Sequence, residues 1–147
     1  MKEFIEKVKS SDNIDSYVTL DFHQRIKSRL KACLDNGETV GIFMKRGIML
    51  EHGDLLRDID GYTIKVIAAP EMLSSIYSDD PLLLSRTCYH LGNRHVELQI
   101  TKVSVHYKHD HVLDDMVKSL GLDVVIESLP FQPENGAYHS HSHSHEH

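Results

Sequence analysis

The chain has 147 residues, 40% of them hydrophobic and 26% charged, with a formal net charge of −6 when histidine is neutral. That balance suits a folded chain of one ordinary domain or two small ones, and it excludes the clustered basic surface that a nucleic-acid partner needs. No apolar run approaches the roughly 18 residues of a membrane span, and the N-terminal MKEFIEKVKSSD lacks the apolar stretch of a secretory signal, so a cytoplasmic chain with no membrane partner is expected.

The first half reads as strands and turns. Phe4, Ile5 and Val8 open it, and Tyr17-Val18-Thr19-Leu20 continues in β-prone residues. Between Arg25 and Ala32 the pattern alternates. Ile26, Ser28, Leu30 and Ala32 are expected to face inward, with Arg25, Lys27, Arg29 and Lys31 outward. This basic face is either a solvated edge or a docking surface. Asp35-Asn36-Gly37 signals a turn before Thr39-Val40-Gly41-Ile42-Phe43-Met44, and Gly47, Gly53 and Gly61 punctuate short strands ending in Tyr62-Thr63-Ile64-Lys65-Val66-Ile67. Turns at that spacing predict a small β-barrel or sandwich over residues 1–70, with Pro70 as its boundary.

Beyond Pro70 the period changes. Residues 71–77 form one more strand with weak alternation. Asp80-Pro81 starts a helix whose apolar stripe is Leu84, Cys88 and Leu91, stopped by Gly92-Asn93. Val96, Leu98 and Ile100 alternate with polar neighbours, as do Val103, Val105 and Tyr107, giving two strands. Asp110 caps a second helix with Val112, Leu113, Met116, Val117 and Leu120 on its apolar face, closed by Gly121. Asp123-Val124-Val125-Ile126-Glu127 makes the last strand. The order β-α-β-β-α-β over residues 71–130 predicts a ferredoxin-like module, and the whole an α+β chain. Residues 131–147 carry Pro133, Gly136 and no apolar face, and are expected to form a flexible tail.

Histidine is the compositional outlier, with twelve against sixteen Lys plus Arg. Neutral imidazole is the common nitrogen ligand for Ni²⁺, Cu²⁺ and Zn²⁺, and ligand softness separates these metals little. The tail presents His139, His141, His143, His145 and His147 at every second position, so neighbouring rings can close on one ion without a fixed geometry. His109-Asp110-His111 repeats that spacing ahead of the second helix; its histidines are either paired ligands or surface residues flanking a cap. His90 and His95 flank the turn after the first helix, and a single ligand there matters only if a two-fold axis brings two copies together. His106 faces away from Val105 and Tyr107 and is less easily recruited. Cys33 and Cys88 are too few for a disulfide framework and read as reduced, half-buried thiols. There is no H-E-x-x-H, G-x-S-x-G or glycine-rich phosphate loop, and Asp114-Asp115 reads as a solvated face, so no enzyme is expected.

Three stretches carry a resemblance: Cys88-Tyr89-His90-Leu91-Gly92-Asn93-Arg94-His95, His109-Asp110-His111-Val112-Leu113-Asp114-Asp115-Met116, and Leu129-Pro130-Phe131-Gln132-Pro133-Glu134. They are similar to signature stretches of the urease accessory protein E (UreE) family, as is the Gly-Ala-Tyr-His approach to a histidine-rich end. The resemblance implies a homodimeric nickel metallochaperone working with the urease accessory GTPase and the complex of urease apoprotein with its accessory proteins. It implies a peptide-binding-like N-terminal domain and a ferredoxin-like metal-binding and dimerisation domain. It makes His95 the interface ligand from both chains, His109 and His111 accessory ligands, and the tail histidines a supplement, with Ni²⁺ as cargo and Zn²⁺ or Cu²⁺ able to substitute. The competing reading is storage or sequestration of Ni²⁺ or Zn²⁺ with no dedicated recipient.

Overall fold

The computed structural model describes residues 1–135, and the chain divides into two compact units, Met1–Ala69 and one beginning at Pro70. The tail histidines at 139, 141, 143, 145 and 147 lie outside the described residues.

The first unit holds β1 (Glu3–Phe4), β2 (Glu6–Val8), β3 (Ser16–Leu20), α1 (Phe22–Arg25), β4 (Arg29–Cys33), β5 (Thr39–Phe43), β6 (Leu55–Arg57) and β7 (Thr63–Ala68). They form two open sheets, β1-β5-β4 and β2-β6-β7-β3, not a closed barrel. Both sheets feed one apolar core, with Phe4, Val40 and Ile42 from one and Val18, Leu56, Ile64 and Val66 from the other. β4 and β5 pair antiparallel across the turn at Asn36-Gly37, where Gly37 takes φ +93° and Asn36 Oδ1 accepts from Glu38 N at 2.9 Å. The turn signal there reflects a backbone that glycine adopts without strain.

The alternation expected from Arg25 to Ala32 holds only from Arg29 onward. Asp21 and Gln24 form a capping box, with Gln24 N donating to Asp21 Oδ1 at 2.8 Å and Asp21 N to Gln24 Oε1 at 3.0 Å. This nucleates the helical turn α1 in place of strand. Arg25 is consequently buried, not outward; its Nη1 donates to Leu20 O at 2.8 Å and its guanidinium lies 5.8 Å from the Phe22 ring centre. Ile26 is 42% exposed where burial was expected. Of the four basic residues Arg29 and Lys31 sit on a strand face, opposite the buried Leu30 and Ala32.

The second unit runs β8 (Pro70–Tyr77), α2 (Pro81–Gly92), β9 (Gln99–Ile100), β10 (Ser104–Lys108), α3 (His111–Ser119) and β11 (Val125–Pro130). Its sheet order is β11-β8-β10-β9 with every pairing antiparallel, the strand order of a split βαββαβ module. Ile76 of β8 and Val105 and Tyr107 of β10 pack with Leu84 and Leu91 of α2 and Val117 of α3 in one cluster, so both helices cover the same sheet face. The weak alternation of residues 71–77 has a physical cause. Leu73, Ser74, Ser75 and Ile76 are all buried in a central strand, and each face carries one apolar residue and one serine, so neither face reads as the apolar one. The strand expected at 96–100 shrinks to Gln99–Ile100, and the last strand begins at Val125, two residues later than expected.

Candidate metal-binding residues

α2 starts as its sequence suggests, Asp80 Oδ1 accepting from Leu82 N at 3.0 Å and Leu83 N at 3.3 Å beside Pro81. Its end does not. Gly92 belongs to the helix and Asn93 keeps right-handed angles, φ −63° and ψ −21°. The left-handed residue that closes the helix is His95, with φ +59°. His95 N donates to Gly92 O at 3.0 Å and Val96 N to Leu91 O at 3.4 Å. These are the two bonds that bracket a left-handed helix stop, a position usually given to glycine. A side chain there costs about 1 kcal/mol, though histidine tolerates it better than most residues. His95 is exposed, and the stop directly follows an outward helix face on which Leu82 is 59% and Tyr89 65% exposed.

His109 is held far more tightly. Its backbone N donates to Met72 O at 3.0 Å. Its ring Nδ1 lies 3.0 Å from Ser74 Oγ and 3.2 Å from Asp114 Oδ2. Asp114 in turn accepts from the Tyr107 hydroxyl at 2.5 Å. Burial, then the adjoining carboxylate, pushes the Tyr107 phenol far above its ordinary pKa. Asp110 caps α3 through Val112 N at 2.9 Å and Leu113 N at 3.2 Å, which places His111, exposed, as the first residue of the helix. Asp110 is therefore a cap, as its sequence position suggests, and the histidines on either side stand at a strand exit and a helix start.

His106 is not available. It is 4% exposed, with Nδ1 2.7 Å from Ser75 Oγ and Nε2 2.9 Å from Ser104 Oγ. Burial holds its pKa below the ordinary value, partly opposed by Glu127. Cys33 is exposed rather than half-buried, while Cys88 is intermediate and its thiol is pushed up by burial, away from the thiolate that a metal takes. Among the described residues no group of three or more His, Cys, Asp or Glu is gathered to hold a metal ion. His95 stands on the α2 stop, and His109 and His111 flank the cap of α3.

Beside His109, Asp114 is a residue whose burial runs against its sequence pattern. It is 4% exposed, not solvated, whereas its neighbour Asp115 is exposed. The available signal was Tyr107, an inward strand residue whose hydroxyl needs a buried partner.

Two family models cover the chain, the N-terminal domain of UreE urease accessory protein over residues 1–69 and its C-terminal domain over residues 71–147. A urease accessory protein UreE from Pseudomonas putida (strain W619) is 51% identical over 135 residues, 91% of this chain and 84% of that protein. The protein of the same name from Vibrio parahaemolyticus is 54% identical over 121 residues, 82% of this chain and 76% of its own. That from Escherichia coli O157:H7 is 47% identical over 146 residues, 96% and 95% of the two. All three are named as accessory proteins, not as enzymes.

Proposed function

The chain belongs to the UreE urease accessory protein family, and from that premise we propose that it is a cytoplasmic nickel metallochaperone serving urease maturation. Two protomers each contribute His95 to a Ni²⁺ seat on a two-fold axis. His109 and His111 supply accessory positions, and the imidazoles at 139, 141, 143, 145 and 147 complete or extend the coordination. Zn²⁺ and Cu²⁺ compete for the same nitrogen donors. The recipient is the urease accessory GTPase acting on the complex of apoprotein and accessory proteins.

The observation that carries this reading is the histidine at a helix stop where glycine is usual. Strain retained at an exposed position is an argument for function. Leu82 and Tyr89 on the preceding helix face are apolar surface of the kind that a second copy covers. Because no three-ligand set exists within the described part of one protomer, a donor shared across an axis is a physically sufficient source of a site. Few fixed donors also suit transfer, since a recipient can replace them one at a time.

His95→Gly tests the reading with little structural damage, because glycine fits φ +59° better than histidine does. Calorimetric titration with Ni²⁺ is expected to lose the tight phase in this variant. Thermal stability should stay level or rise by about 1 kcal/mol as strain is relieved. Tight binding equal to wild type would remove His95 from the site.

A further inference from the structure

We propose that Asp114 is a positioning residue for His109, accepting a hydrogen bond from Nδ1–H of that imidazole so that the proton stays on Nδ1 and Nε2 is the nitrogen offered to metal. The inference rests on the reading of His109 as an accessory ligand and adds to it the group that orients the ring.

A neutral imidazole carries one donor nitrogen and one acceptor, and its neighbours decide which is which. Around His109 Nδ1 stand Ser74 Oγ at 3.0 Å and Asp114 Oδ2 at 3.2 Å. A hydroxyl can accept or donate, but a carboxylate only accepts. The other carboxylate oxygen, Oδ1, is already engaged by the Tyr107 hydroxyl at 2.5 Å. Asp114 therefore has a fixed rotamer, and its free oxygen meets the ring nitrogen. Both anchors are internal, Tyr107 at 0% and Asp114 at 4% exposure, while the His109 side chain keeps 35%.

The local sequence explains why the two meet. Asp110 starts α3, and Asp114 N donates to Asp110 O at 2.9 Å, so the carboxylate sits one helical turn after the cap. Tyr107 lies two residues before His109, on the inward side of β10. β8 contributes the remaining restraints, Met72 O to the His109 backbone and Ser74 Oγ to its ring. A carboxylate on the far nitrogen of a ligating imidazole fixes its tautomer and raises its basicity, and losing such a partner commonly weakens metal binding 10- to 100-fold, roughly.

Nitrogen-15 NMR of the histidine rings in the full-length, metal-free protein at about pH 8, where free imidazole is neutral, reads the tautomer. The His109 signals are identified by their loss in His109→Gln. The wild-type ring is expected in the Nδ1–H form. Asp114→Asn, whose amide can present its own N–H to that nitrogen, should move it toward the other tautomer, and Tyr107→Phe should do so more weakly. Ser74→Ala should leave it unchanged. Nickel alone, added to the same samples, is expected to perturb the wild-type His109 ring at concentrations roughly tenfold lower than in Asp114→Asn. A wild-type ring in the Nε2–H form overturns the proposal, as does a tautomer indifferent to both Asp114→Asn and Tyr107→Phe; the phenylalanine variant decides alone if the asparagine one does not fold. Should the tautomer respond while Ni²⁺ leaves wild-type His109 untouched, the ligand reading falls and Asp114 has no metal site to serve.

Discussion

His106 shows how one imidazole in a histidine-rich chain is withdrawn from metal chemistry. Two serine hydroxyls hold its nitrogens at 2.7 and 2.9 Å, and the Tyr77 ring packs edge-on at 5.6 Å. Its pKa is lowered by burial, so the unfolded chain takes up this proton before the folded one does. Stability linked to His106 is therefore present above the unfolded pKa, about 6.5, and is lost as pH falls below it. Urea denaturation from about pH 7 to pH 5 should show ΔG of unfolding falling with acid, this residue supplying up to about 1.4 kcal/mol per pH unit. His106→Asn should flatten that slope whatever its effect on absolute stability; equal slopes would contradict the assignment. At this scale the sequence was informative about direction and silent about partners. The alternation of Val105 and Tyr107 put His106 on the opposite sheet face correctly. It could not show that Asp114 turns inward, because that burial depends on a phenol seven residues away in another element.

At the scale of elements, α2 was legible at its start and misread at its end. Asp80-Pro81 combines a side-chain acceptor with a residue that lacks the N–H a first turn would leave unpaired. Asp80→Ala should cost about 1 kcal/mol, seen as a melting temperature lower by about 2–4 °C; an unchanged melting curve would mean that the cap is redundant. Gly92-Asn93 reads as the stop because glycine is the usual left-handed residue, yet His95 carries φ +59°. The rule failed at a proposed functional position, which is where local rules are most often broken. Similarly, α1 is not legible because four residues are too few to display a helical period, while Arg29–Cys33 behind it does alternate. The βαββαβ order was readable because both helices carry their own caps and β10 its own period, although β8, a central strand, lacks a clean one. The sheet pairings of the first unit were not, since β1 with β5 and β3 with β7 are parallel partners far apart in sequence.

On the scale of the whole molecule, no set of three or more donors is gathered among the described residues of one protomer, so the proposed function locates tight and exchangeable binding in the assembly of two. A C2 pairing duplicates one ligand at no expense in sequence, and it makes metal affinity depend on the dimer. Native mass spectrometry of the full-length protein titrated with Ni²⁺ counts chains and ions together. The expected spectrum shows a dimer taking up its first ion tightly, one per two chains, and a His95→Gly dimer in which that first tight uptake is gone while weaker binding persists. A monomer that holds Ni²⁺ as tightly as the dimer, with or without His95, would contradict a shared seat on the symmetry axis.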